Sequence, residues 1–539
     1  MSYTRSRARI VFGLACSLVA AMPLITNAGL QRPAPMRPMD PMDNIARAGT
    51  PCADLAALTI PNVRVTRATA VPAGPFTPPG ARTAVTLPAF CRVEAVATPT
   101  PDSVINFDVW IPAPAAWTGR FQGVGNGGYS GNIGYGAMAE ALTHGSAVTS
   151  TDIGHAGGEL EWGLGHPEKV IDWSYRAMHV TADAGKLIVR NHLGRFPAYN
   201  YFVGCSSGGH QAMSEVQRFP EDYDGVLAGD PDFDRINQTL GYLGMWLATH
   251  DASGKSLIPS AKLPVLTRAA VAACDLNDGL KDGLVDDPRQ CRFDPKILQC
   301  EGADAAGCLT KTELEAVKKV YDGLRSPATG ALIYPGWLPG SESFGDSAGQ
   351  GWRQMILDPP KPSRVEVFSY FLFQNPTWDF RTIDWDRDAT YARSRIGHMD
   401  AVDTDLRPFK ARGGKLIMYE GWADPLLPGA DITNYYDKVV QTLGEANPPQ
   451  DFVRLFMVPG MGHCGGGPGP NTFDALTPLE HWVEAGVAPN RIVASSVVKG
   501  ATVRTRPLCA YPQVARWTGS GSTDEASNFS CVAPGGTAR

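Results

Sequence analysis

The sequence predicts an α/β protein: a largely parallel sheet with helices on both faces, interrupted by one large insertion. Three observations carry that expectation. Short apolar runs alternate with segments of helical spacing from residue 105 to about 228, and again from 415 to 485. Residues 232–403 break the rhythm. A Gly-x-Ser-x-Gly turn falls between a strand and a helix, the context in which such sheets present a reactive serine.

Residues 29–80 are rich in proline and read as an irregular lead-in tied down by Cys52. Strands are expected at 104–111, 120–124 and 146–152, and a helix at 174–192, where Ala177, Val180, Ala184, Leu187 and Ile188 recur at helical spacing. Tyr199–Val203 is a short apolar strand followed directly by glycines and a helix over 208–218, and 226–228 reads as another strand. After the insertion come a strand at 415–419, a helix at 432–443, a strand at 453–458 and a helix at 478–485. The catalytic body is therefore 29–231 with 404–539, and 232–403 is an inserted lid. The aromatic stretch from Phe368 to Trp385 reads as lid aromatics or, for most of its members, as buried core.

With 43% hydrophobic residues in 539, the chain can bury large cores, which excludes disorder. Charged residues are only 19%, while Gly (58) and Pro (44) run high, a profile of a loop-rich enzyme or binding protein. A net charge of −6 gives no field to draw in nucleic acid. No later segment offers the ~18 apolar residues of a membrane span. Residues 1–28 read as a secretory signal: Arg5, Arg7 and Arg9, an apolar run from Ile10 to Ile25, then Thr26-Asn27-Ala28. A secreted or periplasmic protein is expected.

Without that segment ten cysteines are left, an even number that suits disulfides in an oxidising compartment. Proximity pairs Cys52 with Cys91, Cys274 with Cys291, Cys300 with Cys308 and Cys509 with Cys531. Cys205 and Cys464 are left for each other.

The candidate nucleophile is Ser206, in Gly204-Cys205-Ser206-Ser207-Gly208-Gly209. Glycines flank it because the strand-to-helix turn is too tight for side chains, and the helix amino terminus favours negative charge beside it. A serine so placed needs an acid and then a histidine, in that order along the chain. Asp424 follows the strand 415–419 in a loop bounded by Gly421 and Pro425, and His463 follows 453–458 in a glycine-rich loop. Asp405 and Glu420 are the rival acids. His144, His155, His179 and His210 are worse placed, in helices or ahead of the serine. A Cys205–Cys464 bond would clamp nucleophile to base and, on the chain-entropy model, contribute about 5 kcal/mol. The oxyanion donors are expected to be the Ser207 amide and a glycine amide from Gly125-Asn126-Gly127-Gly128, after the strand at 120–124. Between Cys274 and Cys291, Asp275, Asp278, Asp282, Asp286 and Asp287 crowd one loop, with glycines between them as a hard-oxygen calcium site requires.

These residues resemble the tannase and feruloyl esterase family, which also includes mono(2-hydroxyethyl) terephthalate hydrolase. The resemblance rests on residues 204–209, Ser150-Thr151-Asp152-Ile153-Gly154-His155, Gly421-Trp422-Ala423-Asp424-Pro425 and Pro459-Gly460-Met461-Gly462-His463-Cys464, and extends from about Cys52 to Cys531. It implies an α/β-hydrolase fold with a lid after the nucleophile helix, five disulfides, no organic cofactor, and small esters of aromatic acids as substrates. It implies a structural calcium ion held by Asp275, Asp278, the Leu280 carbonyl, Asp282 and the Leu284 carbonyl, and oxyanion donors at Ser207 and at Gly127 or Gly128. A serine esterase for gallate, ferulate or related esters is the leading expectation. A terephthalate monoester hydrolase is the alternative, and a serine peptidase a more distant one. Two departures stand out: Asp230-Pro231-Asp232 replaces small neutral residues, and Glu420 replaces a histidine. Two readings of these acids stand side by side: they reach the acyl pocket and repel a carboxylate-bearing ester, or they are solvated or paired with nearby arginines such as Arg235 and never meet substrate.

Overall fold

The computed structural model describes residues 48–344 and 347–535, with only the backbone described for 347–350. The leader expected at 1–28 lies outside these residues. Ten strands form one sheet: β1 (Thr59–Ile60), β2 (Val63–Val71), β3 (Phe90–Ala97), β4 (Ile105–Pro112), β5 (Arg120–Val124), β6 (Ala147–Thr151), β7 (Tyr199–Cys205), β8 (Gly225–Gly229), β9 (Lys415–Gly421) and β10 (Val453–Val458). Their order is β1-β2-β3-β4-β6-β5-β7-β8-β9-β10. From β6 across to β10 neighbouring strands are parallel, whereas β1 to β4 and the β4–β6 pair are antiparallel. The sheet is thus mixed, and the lead-in expected to be irregular supplies an antiparallel strand of nine residues. Its outer face is largely exposed, so β2 has no long apolar run to announce it.

Alternation along the central strands explains why both faces are covered. Phe202, Val226, Ala228, Leu416, Met418 and Leu455 point into the principal core. Tyr201, Leu227, Ile417, Phe456 and Val458 point to the opposite face, against Leu479 and Trp482 of the helix Leu476–Ala485. The register sets Gly229 beside both Cys205 and Tyr419, and Gly421 beside Val458. Four chain segments therefore leave the sheet at one carboxyl edge, the place where α/β sheets build sites.

Between β8 and β9 no segment joins the main sheet. Helices Arg235–Thr249, Leu263–Cys274, Lys311–Asp322 and Arg387–Ile396 lie there. Tyr242, Leu266, Leu314, Val317, Trp337 and Trp352 form a second core within the insertion. Of the two readings of the aromatic stretch, buried core holds for Phe368 and Phe371, which lie in the principal core, Phe371 with its ring 5.0 Å from that of Trp162. The antiparallel pair Arg491–Val498 and Ala501–Cys509, which no sequence signal announced, follows the last helix.

All five expected disulfides are formed. The Cys205 and Cys464 Cα atoms stand 6.0 Å apart across 259 residues of chain.

Candidate active site

β7 ends at Cys205 and a helix begins at Ser207, so the chain reverses at Ser206 with φ 63° and ψ −123°. A serine at positive φ is strained, and its neighbours hold it there. Ser206 N donates to Gly229 O (2.9 Å), and His210 N donates to Ser206 O (3.0 Å). A Cβ on Gly204 would lie 2.4 Å from Gly208 O, and one on Gly125 would lie 2.6 Å from Gly208 Cα. Glycine at these positions is a steric requirement of the turn.

The three expected side chains meet in series. His463 Nε2 lies 2.8 Å from Ser206 Oγ, and His463 Nδ1 lies 2.6 Å from Asp424 Oδ2. The second Asp424 oxygen accepts the amides of Leu426 (2.7 Å) and Leu427 (3.0 Å), which fixes the carboxylate and with it the imidazole. Asp424 is buried. Burial opposes a charge on His463, but the Asp424 carboxylate outweighs it and holds the imidazole up to about 9. The rivals are engaged elsewhere. Asp405 pairs with Arg407 on the surface. His155 stacks on Trp162, His179 bonds Asp222, and His210 bonds the Met399 carbonyl.

Gly125 and Asn126 have their amides taken by Val203 O and Gln211 Oε1 (2.9 and 3.0 Å). The Asn126 side chain ties the same loop to Asn132 O and Thr151 O. Beyond these anchors, Gly127 and Gly128 border open space, with Gly128 at φ 58°. Ser207, at the first position of its helix, has an amide without an intrahelical acceptor.

Of the two readings of the acids near the site, pairing holds for Asp232. Asp232 is buried and bonded to both Arg235 and Arg364. Arg235 Nη2 donates to Ser207 Oγ (2.7 Å), and the Arg364 guanidinium lies over the rings of Tyr129 and Tyr242. Asp230 accepts backbone amides, and Glu420 is only 2% exposed. None carries a free charge into solvent. The sequence gives Arg364 no motif to mark it, because it arrives from the insertion, 158 positions after Ser206 along the chain.

In the acidic loop, Asp278, Asp282, Leu284 and Asp286 line a cavity of about 10 Å³ together with Arg506. Asp275 Oδ1 accepts the amides of Asp282 and Gly283 (both 3.0 Å), and Leu280 N donates to Asp278 Oδ1. Burial, then the charge of Asp278, push Asp286 up to about 7. Arg506 and Arg516 pair with Asp282 and Asp286. These are hard oxygens of the kind a divalent cation takes, with Arg506 and Arg516 offsetting part of their charge.

This elbow, base and acid at the carboxyl edge of the sheet define an α/β-hydrolase fold. A family model described as tannase and feruloyl esterase matches residues 91–532, and the chain belongs to that family. It is a carboxylic ester hydrolase. An uncharacterized esterase of Xanthomonas campestris pv. campestris is 39% identical, over 90% of this chain and 92% of its own. Mono(2-hydroxyethyl) terephthalate hydrolase of Piscinibacter sakaiensis is 35% identical, over 85% and 87%. The crystal structure of feruloyl esterase B from Aspergillus oryzae superposes with a TM-score of 0.82 at 29% identity, covering 88% of this chain and 98% of that one.

Proposed function

We propose that the protein cleaves esters of phenolic aromatic acids, such as gallate or ferulate, through an acyl-enzyme on Ser206. The observation that carries the mechanism is the hydrogen-bonded series Ser206–His463–Asp424. His463 Nε2 takes the Ser206 proton as Oγ bonds to the ester carbonyl carbon, and the carbonyl oxygen becomes an oxyanion. The amides of Ser207 and of Gly127 or Gly128 would receive that charge. His463 returns the proton to the leaving alkoxide as the ester C–O bond breaks. Water then repeats the sequence against the acyl-enzyme, releasing the acid and restoring Ser206. Asp424 holds the imidazole tautomer and stabilises its charged form.

Substrate choice is supported by the names of the relatives, which include feruloyl esterases and a terephthalate monoester hydrolase. The second reading, a terephthalate monoester as substrate, draws on the two guanidiniums of Arg235 and Arg364. Asp232 neutralises part of that charge, which favours the neutral ester. A calcium ion in the loop 274–291, held by Asp275, Asp278, Asp282 and the Leu280 and Leu284 carbonyls, would stiffen the insertion. Five disulfides suit an exported protein. The test is kcat/KM for methyl gallate, methyl ferulate, chlorogenate and mono(2-hydroxyethyl) terephthalate side by side. A phenolic ester is expected to lead, and failure of every phenolic ester would overturn the reading.

A further inference from the structure

Asp230 is fully buried, stands outside the triad, and occupies the turn after β8 at φ 33°. Its Oδ1 accepts the amide of Gly421 (2.9 Å), and its Oδ2 accepts the amide of Cys464 (3.2 Å). Those amides belong to two separate segments. Gly421 closes β9 three positions before Asp424, and Cys464 follows His463 and is bonded to Cys205 beside the nucleophile. One carboxyl group therefore ties together the loops that carry the acid and the base. It is also close enough to act on them electrically, because ligand atoms of Asp230, Asp424 and His463 all lie within 4.8 Å of one another.

We propose that Asp230 is a positioning residue for ester cleavage, its carboxyl group clasping the acid and base loops and its negative charge retaining the proton on His463. The inference rests on Ser206, His463 and Asp424 being the triad. The charged groups facing His463 are Asp424 from the acid loop and Asp230 and Asp232 from the turn after β8. Asp232 is engaged by Arg235 of the following helix and Arg364 of the insertion, and burial, then the charges of Asp230 and Asp424, push Glu420 well above the usual carboxylate range. Burial and then the Asp424 charge push Asp230 itself up to about 8, so Asp230 is protonated at lower pH and carries its charge by the pH at which His463, held up to about 9, gives up its proton. The sign follows directly. A nearby negative charge favours the imidazolium, which cannot accept the Ser206 proton, so activity is lost as the pH falls through the raised value. Removing the charge lets His463 become neutral at lower pH.

The test is the pH profile of kcat/KM for p-nitrophenyl acetate, which carries no ionising group, in wild type, Asp230→Asn, Asp230→Ala and Ser206→Ala. The wild-type acidic limb is expected at least one unit above the ordinary histidine value of about 6.5. In folded Asp230 variants it should move down by about one unit, roughly a tenfold relative gain on the acid side. Loss of the clasp should also lower kcat on the plateau more than it raises KM. A folded variant whose limb does not move, whatever its kcat, would overturn the proposal. So would a wild-type limb at or below the ordinary histidine value, and that measurement decides the matter if neither variant folds. Activity surviving in Ser206→Ala would instead overturn the triad assignment, so the two failures are told apart.

Discussion

Replacing Cys205 and Cys464 together by serine removes a covalent link between the residue before the nucleophile and the residue after the base. The closed loop spans 259 positions, and on the chain-entropy model its release costs about 5 kcal/mol at 25 °C. A chain of this size unfolds with an entropy near 1 kcal/mol per degree, from about 2 cal/mol/K per residue, so the melting temperature should fall by about 5 °C. Activity should fall more steeply than stability. His463 Nε2 sits 2.8 Å from Ser206 Oγ, and a drift of ~1 Å in such a contact costs on the order of a hundredfold. The assay pairs thermal unfolding by circular dichroism with kcat measured well below the transition. Asp230 also holds Cys464 N, so the variant should keep a folded remnant of the site and not lose activity altogether. A variant with unchanged melting and unchanged kcat would refute the reasoning, as would a peptide map of the native active enzyme with both thiols free.

Other perturbations separate the remaining parts. Asp232→Asn removes the counter-charge of Arg235 and Arg364 and should lower the ratio of kcat/KM for methyl ferulate to that for mono(2-hydroxyethyl) terephthalate at least tenfold. An unpaired guanidinium ~4 Å from a carboxylate attracts it by about 4 kcal/mol before screening, and an unchanged ratio would show that Asp232 does not set the preference. Chelation of calcium should lower the melting temperature while leaving kcat unaffected at temperatures where the protein stays folded, because the acidic loop is not among the reacting groups. Identical melting of calcium-loaded and calcium-free protein would contradict a structural ion there.

Much of the site could be read from the sequence because each triad member sits in a short local motif after a strand end. Strand, glycine turn and helix around Ser206 are contiguous, and the loops of Asp424 and His463 are marked by glycines that the backbone needs. The flanking cysteines added a long-range constraint that motifs rarely supply. What escaped was non-local. β2 pairs antiparallel with β3 and has an exposed outer face, so proline content concealed it. The lid and core readings stay open for Phe368 and Phe371 because nothing local records that the insertion folds back onto the principal core. Asp230, Asp232 and Glu420 could be read as charges facing the pocket or as acids solvated or paired nearby, and of their partners only Arg235, three positions after Asp232, is local. Their other partners, Cys464 N, Arg364 and the Asp424 neighbourhood, lie more than a hundred positions away for the first two, and burial decides the state of the third.

The central claim is that Ser206 is the nucleophile, and the most direct test is covalent. A fluorophosphonate probe incubated with the native enzyme should leave one adduct, mapped by peptide mass to Ser206, in step with the loss of ester hydrolysis. Ser206→Ala should take no label and lose on the order of 10⁴-fold or more in kcat, with melting unchanged. Label on another residue, or Ser206→Ala within tenfold of wild type, would contradict the account.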